Sequence, residues 1–392
     1  MKRYSAALLS TVFLCSMTMP NSARAQGSMA AAQPHLDKAK EAAWRPKDGL
    51  NDLTHLYEIV CAPALSPKGP QEPADQAPPP LSERKVPPRS DWYQEPAKVF
   101  DNLYWLGSWA SASRVRPQDG DSTWAVKTSD GLILVDSGND YSAPTLITEG
   151  LKKLGEDPTQ IKYVIISHAH GDRYFGSRYL QDTYHAHVIM SDADWNVLEK
   201  SDEPNEIKPK RDMVATDGMK LTLGDTTLTL YITPGHTPGT VSTIIPIKDG
   251  DKKHVGVVWG GINPSLIRYR VHYFKDWEET YKTWSASVTR FREIANKDGA
   301  DVYLTLHPVY DNALEKIHLI QYLKPGDPNP MVSKENVNRF LTIIQECTEA
   351  QLALQRNARL EFVKGRQLFP SKPQPFGPLH QVAPHQRSIG VP

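Results

Sequence analysis

An α/β sandwich with long extensions at both ends is the architecture this sequence predicts, and three strand-like runs that each end in histidine are the reason. The apolar run Tyr163-Val-Ile-Ile-Ser167 leads directly into His168-Ala-His170-Gly-Asp172-Arg173. The pair Leu221–Leu223 and Thr227–Thr233, turning at Gly224-Asp225, leads into Pro234-Gly-His236-Thr-Pro-Gly239. The run Asp301–Leu306 ends at His307-Pro308. Short apolar or alternating runs bounded by Gly and Pro read as strands. Strand ends hold side chains in fixed places, so the loops of a sandwich can bring residues distant in sequence to one point.

The elements follow in chain order. Lys2-Arg3 form a basic start, Ala6 to Cys15 an apolar stretch, and Ala23-Arg24-Ala25 an A-x-A cleavage signal, so residues 1–25 read as a signal peptide. The stretch is too short to span a bilayer, and Leu14 before Cys15 argues against lipoprotein cleavage. The expectation is a secreted or periplasmic protein with no membrane attachment after processing. Residues 26–61 form an N-terminal helical extension that closes with an amphipathic helix over Asp52–Cys61, its stripe made by Leu53, Leu56, Tyr57 and Val60. A Pro-rich linker covers 62–91, where nine of the 32 prolines fall and neither helix nor central strand is expected.

The main domain spans 92–325, opening with a strand over Val99–Leu106 and another over Gly131–Asp136. A C-terminal helix occupies 326–360, with Val337, Phe340, Leu341, Ile344, Cys347 and Gln351 along one side from about Ser333 to Arg356. Residues 361–392, rich in Pro, Gln and His, read as a flexible tail. Lys+Arg and Asp+Glu are equal at 45 each, which gives no electrostatic footprint for nucleic acid and leaves a small-molecule partner.

Imidazole nitrogen and carboxylate oxygen are ligands that zinc accepts, and a catalytic zinc site takes three protein ligands and keeps one position open. Two histidines and an aspartate in one tight turn, with further histidines in rigid Pro-Gly loops, therefore point to a metal site. Together with Gly131-Leu-Ile-Leu-Val-Asp136-Ser-Gly138, these motifs resemble the metallo-β-lactamase fold superfamily over residues 92–325. The likeness is greatest to the lactamase subclass whose zinc ligands are all histidine and aspartate.

The resemblance implies an αββα sandwich. It implies that His168, His170 and His236 hold a first zinc and that Asp172 and His307 belong to a second. The chain departs from the family at Arg173, where a histidine usually stands; guanidinium has no lone pair to offer a metal. After the strand His254–Trp259, a bridging aspartate is also replaced, by Gly260-Gly261-Ile262-Asn263. The second site is left with Asp172, His307 and the Asn263 amide oxygen as candidates. One tight zinc and a second that is weak or absent is the expectation, with Arg173 either pairing with Asp172 or holding a substrate carboxylate.

The implied activity is that of an exported zinc hydrolase in which hydroxide at zinc attacks a carbonyl and Asp172 serves as general base. A β-lactam is the leading substrate. A lactonase or thioesterase acting on small natural products is the second reading, and a zinc-binding protein without catalysis is the third.

Other residues stay open at this stage. Cys61 and Cys347, each on the apolar stripe of an expected helix, are the two cysteines left after signal removal, an even pair that in an oxidising compartment favours a disulfide over two buried thiols. Asp136 reads either as an acceptor orienting a metal-bound imidazole or as a turn carboxylate. His185 and His187 alternate on an expected strand Tyr184–Met190 and read as surface histidines. Arg268, Tyr269, Arg270, His272 and Tyr273 form either a pocket wall or a solvated basic loop.

Overall fold

Alternating apolar residues give this chain two sheets with one buried face in common. The computed structural model describes residues 21–45, 47–66, 81–110, 119–268 and 271–363. The basic and apolar start of the expected signal peptide, residues 67–80 of the Pro-rich stretch and the expected tail from 364 onward lie outside the described residues.

The first sheet holds seven strands in chain order: β1 Ala97–Phe100, β2 Leu103–Trp105, β3 Trp124–Thr128, β4 Gly131–Val135, β5 Ile161–Ile165, β6 His187–Ser191 and β7 Met213–Ala215. β1 to β4 pair antiparallel, with short turns joining β1 to β2 and β3 to β4, whereas β4 to β7 pair parallel. The single strand expected over 99–106 is two strands, because Asp101 and Asn102 make a turn between β1 and β2. Both residue types favour turns by bonding their own backbone surroundings.

The second sheet is built from β8 Met219–Leu223, β9 Thr226–Ile232, β10 Val241–Asp249 and β11 Lys252–Val258. After a separate small hairpin, β12 Ile267–Arg268 and β13 Val271–His272, it is completed by β14 Val302–Tyr303, in the order β14-β11-β10-β9-β8. Between the sheets, Trp105, Trp124, Ile133 and Ile165 meet Leu228, Leu230, Ile245 and Leu304. Burying a side chain of this size stabilises by about 1.5–3 kcal/mol.

Helices cover both outer faces, which makes the αββα sandwich. Helices Ser177–Tyr184 and Asp192–Lys200 belong to the outer layer of the first sheet, with Leu180, Trp195 and Leu198 in one cluster with Leu134, Val164 and Val188. Helix Trp277–Lys297 belongs to the outer layer of the second. Its signal was present in the sequence without being read. Asp276 accepts from the Glu279 amide at 2.9 Å as an N-cap, and Tyr281, Trp284, Val288, Phe291 and Ala295 form a buried stripe at helical spacing.

The two extensions pack on each other. Helix Asn21–Ala43 buries Ala32, Leu36, Ala39 and Ala43 in one cluster with the C-terminal helix Lys334–Val363. Arg339 of that helix donates to the carbonyls of Ala42 at 2.6 Å, Ala43 at 3.0 Å and Asn51 at 2.8 Å, satisfying acceptors that a helix end leaves unpaired. The expected short helix runs Thr54–Val60, and Ala62–Leu65 is helical where an extended linker was expected. Cys61 and Cys347 are joined as a disulfide with a Cα–Cα separation of 4.8 Å.

One expected strand is corrected. Tyr184 ends a helix, His185 caps it in the left-handed conformation at φ 55°, and β6 begins only at His187. His185 and His187 therefore do not alternate along one strand; His187 is exposed and pairs with Asp212 at 3.0 Å. Among the described residues no helix is long and apolar enough to cross a membrane.

Candidate metal centre

β5 ends at Ile165, and the chain bends through His168-Ala169-His170 into a short helix, Gly171–Tyr174. β9 delivers His236 from the facing sheet, and β11 delivers the Gly260-Gly261 turn. Gly261 has to be glycine, since a Cβ there would lie 2.4 Å from Cβ of His236. These loops bring three imidazoles together, with ring centroids 4.2 Å apart for His168–His236, 4.6 Å for His170–His236 and 4.7 Å for His168–His170. Nε2 of His168 and Nε2 of His236 are 3.2 Å apart, so two lone pairs face one point.

The outer nitrogen of each ring is already committed. Nδ1 of His168 donates to the Gly260 carbonyl at 2.6 Å, and Nδ1 of His236 to the Asn263 carbonyl. Nε2 of His170 lies 3.3 Å from the Tyr273 hydroxyl, and a ring nitrogen of His170 lies within 4.8 Å of ligand-type nitrogens of His168 and His236. Such outer partners fix tautomer and ring orientation in metal-binding histidines. Burial, with the neighbouring His236, holds the His168 imidazole well below its ordinary pKa, so the ring is neutral and able to ligate at neutral pH. Three neutral imidazoles suit a tetrahedral zinc with one open position.

One carboxylate braces both ligand loops. Asp194 accepts from the Ala169 amide at 2.9 Å, the Thr237 hydroxyl at 2.6 Å and the Gly239 amide at 2.8 Å. It is fully buried, and burial pushes its carboxyl up to about 6 against these three donors. Sequence reading missed this residue, since no motif links Asp194 to loops 25 and 45 positions away.

A second cluster adjoins the first. Asp172 lies in the short helix, His307 follows β14, and Asp121 lies just ahead of β3; their ligand atoms fall within 4.8 Å of one another. Asp121 was not foreseen, because nothing around it in sequence resembles a metal motif. Nδ1 of His307 donates to the Gly120 carbonyl at 2.7 Å, and burial, with the Arg173 cation, lowers its imidazole to about 3. The backbone carbonyl of Asn263 serves His236, and its side-chain Oδ1, the expected second-site donor, is buried.

Arg173 fills the cluster. It is fully buried, and its Nη2 donates to Asp121 Oδ1 at 2.6 Å and Asp172 Oδ2 at 2.7 Å. Nε reaches Asp172 Oδ2 at 3.1 Å, and Nη1 reaches the Leu306 carbonyl at 2.9 Å and Asp136 Oδ2 at 3.5 Å. The expected pairing with Asp172 is present. Its complete burial leaves none of the guanidinium exposed to solvent.

Asp136 stands in the left-handed region at φ 62° and reaches His168 through Ser167. It is a turn residue whose carboxylate accepts from the Ser167 amide at 2.7 Å and hydroxyl at 2.9 Å, and that hydroxyl lies 3.1 Å from Nδ1 of His168. Of the basic cluster, Tyr273 is placed at His170 and His272 is exposed. Tyr269, Arg270 and the Arg268 side chain lie outside the described residues, as do residues 111–118.

Residues 116–250 match the model of the metallo-beta-lactamase superfamily. The fold is similar to a subclass B3 metallo-β-lactamase of Bradyrhizobium japonicum, with 25% identity, 69% of this chain and 94% of that chain covered, and a TM-score of 0.50. It is also similar to a motif mutant of a metallo-β-lactamase from Cronobacter sakazakii, at 26% identity, 67% and 99% coverage and a TM-score of 0.52. A β-lactamase from Chitinophaga pinensis, 20% identical over 69% of this chain and 99% of its own, shares the fold with a TM-score of 0.53.

Proposed function

We propose, from the premise that residues 116–250 belong to the metallo-β-lactamase superfamily, that this protein is an exported zinc hydrolase that opens a cyclic amide, with a β-lactam as the leading substrate. The observation that carries the reading is the convergence of His168, His170 and His236, each with its outer nitrogen held by another group. In this reading these three residues hold one tight zinc. A zinc ion held there acidifies a water molecule toward a pKa of about 7 and polarises a carbonyl.

The chain's own residues supply the rest. Oδ2 of Asp172 is pinned by Nε and Nη2 of Arg173, which fixes the orientation of the carboxylate. Asp172 thus accepts a proton from the attacking water and returns it to the amide nitrogen as the carbon–nitrogen bond breaks. Asp136, Ser167 and Asp194 hold the ligand loops in register without touching substrate. The Cys61–Cys347 disulfide supports an oxidising compartment, in keeping with the basic and apolar start of the chain.

A panel of a penicillin, a carbapenem, a homoserine lactone and a thioester tests the substrate class. Cleavage of the β-lactams that stops with chelator and returns with zinc is the expected result. Preference for the lactone or thioester would move the protein to the second substrate class. No turnover of any member, with one zinc bound, would identify a zinc-binding protein without catalysis.

A further inference from the structure

The second cluster contains donor types that suit a divalent cation, yet its inner lone pairs are already engaged. Nη2 of Arg173 lies 2.6 Å from Asp121 Oδ1 and 2.7 Å from Asp172 Oδ2, between two of the three groups whose ligand atoms fall within 4.8 Å of one another. We propose that this guanidinium is the resident cation of the second cluster, that Asp121 is the residue that seats it, and that the chain is thereby built to work with one metal ion. The inference rests on reading the three-histidine cluster as the zinc site, and extends it to how the neighbouring site is controlled.

Four chain segments fix the fork. Asp121 comes from the segment ahead of β3, Asp136 from the end of β4, Asp172 from the ligand loop and Leu306 from the segment after β14. A planar guanidinium with directed N–H groups can satisfy all four at once, where a point charge could not. The outer oxygen of Asp121 accepts from the Asn139 amide at 2.8 Å, which turns Oδ1 toward the cation. With Arg173 fully buried, its departure would open the cluster and leave Asp121, Asp136 and Asp172 facing one another. A metal ion competing for the same lone pairs has to displace those hydrogen bonds and sit against a fixed positive charge.

Removing the guanidinium reverses this. Asp121, Asp172 and His307 then present two carboxylates and an imidazole, three protein ligands of the types that zinc accepts. Asp121 is thus a positioning residue in the natural chain and a ligand only in its absence. The hydrolysis rate of the natural protein is accordingly independent of added zinc once the first ion is bound.

The test is metal content by elemental analysis after dialysis against micromolar zinc, with cobalt(II) titration followed by absorption spectroscopy, on the full processed chain. The natural protein is expected to hold one ion and Arg173→Ala two. Adding Asp121→Asn to Arg173→Ala should weaken the second ion at least about tenfold, as loss of a ligand or its support does. Should Arg173→Ala fail to fold, Arg173→Met with and without Asp121→Asn gives the same comparison.

Two tight ions in the natural protein would overturn the proposal. So would a folded Arg173 variant that gains no ion, or a second ion indifferent to Asp121→Asn. If the natural protein holds no ion while Arg173→Ala holds one, the first-site reading and the one-metal part of this proposal both fail, and only the guanidinium's hold on the second cluster stands.

Discussion

The three-histidine cluster and the carboxylate cluster share a ligand loop, and each has partly buried members, yet their donors are committed in opposite directions. In the first, the partners found are on the outer side: the Gly260 and Asn263 carbonyls and the Tyr273 hydroxyl take one nitrogen of each ring, and the other nitrogens converge. In the second, Arg173 reaches inward and takes the oxygens of Asp121 and Asp172 that face each other. The residue types alone would make both clusters metal sites. What separates them is whether a lone pair already has a proton donor before any ion arrives.

Breaking the first cluster is expected to have the largest functional effect. His168→Ala or His236→Ala should remove the metal ion and almost all hydrolysis, measured as zinc content and turnover on folded protein. Turnover like that of the natural enzyme in either variant would erase the distinction between the clusters. Asp172→Asn comes next, with a loss of about 10²–10⁴-fold in kcat, the usual range for a general base. Its zinc content should stay near one per chain, and simultaneous loss of the ion would mean that Asp172 is a ligand of the first cluster.

The second cluster should be dearest in stability. Arg173→Met leaves buried carboxylates without their cation and should destabilise by about 3–5 kcal/mol, read from urea unfolding in chelator. A loss under about 1 kcal/mol, the range of exposed ion pairs, would show that the guanidinium is not what holds Asp121, Asp136 and Asp172 together. Tyr273→Phe is the smallest change: it removes the hydroxyl partner of His170 Nε2 and should weaken zinc about tenfold, the lower end for an outer partner. Unchanged affinity by chelator competition would make that contact incidental.

Much of the first cluster was legible because each histidine sits in its own strong local pattern. His168 and His170 follow an apolar run, and His236 lies between two Pro-Gly steps. The disulfide partners were legible because each cysteine falls on an apolar helical stripe, and such stripes pack on each other. Asp121 and Asp194 had no such signature. Their function comes from residues tens or more positions away, as with the 52 positions between Asp121 and Arg173. The misread strand at Tyr184–Met190 failed for the opposite reason: its alternation was real, but a left-handed cap at His185 divided it between a helix end and β6.

The sequence by itself determined the layered α/β architecture, the strand ends that carry histidine and the presence of a charge at Arg173 that no metal can use as a ligand. These follow from local periodicity, turn chemistry and the protonation chemistry of single side chains, which need no partner to be known. Only the tertiary structure decided where that charge goes, that Asp121 meets it, that Asn263 serves His236 through its backbone, and that Arg173 is fully buried. Each of those depends on which segments meet in the buried interior, where a cation is stable only beside the carboxylates that compensate it.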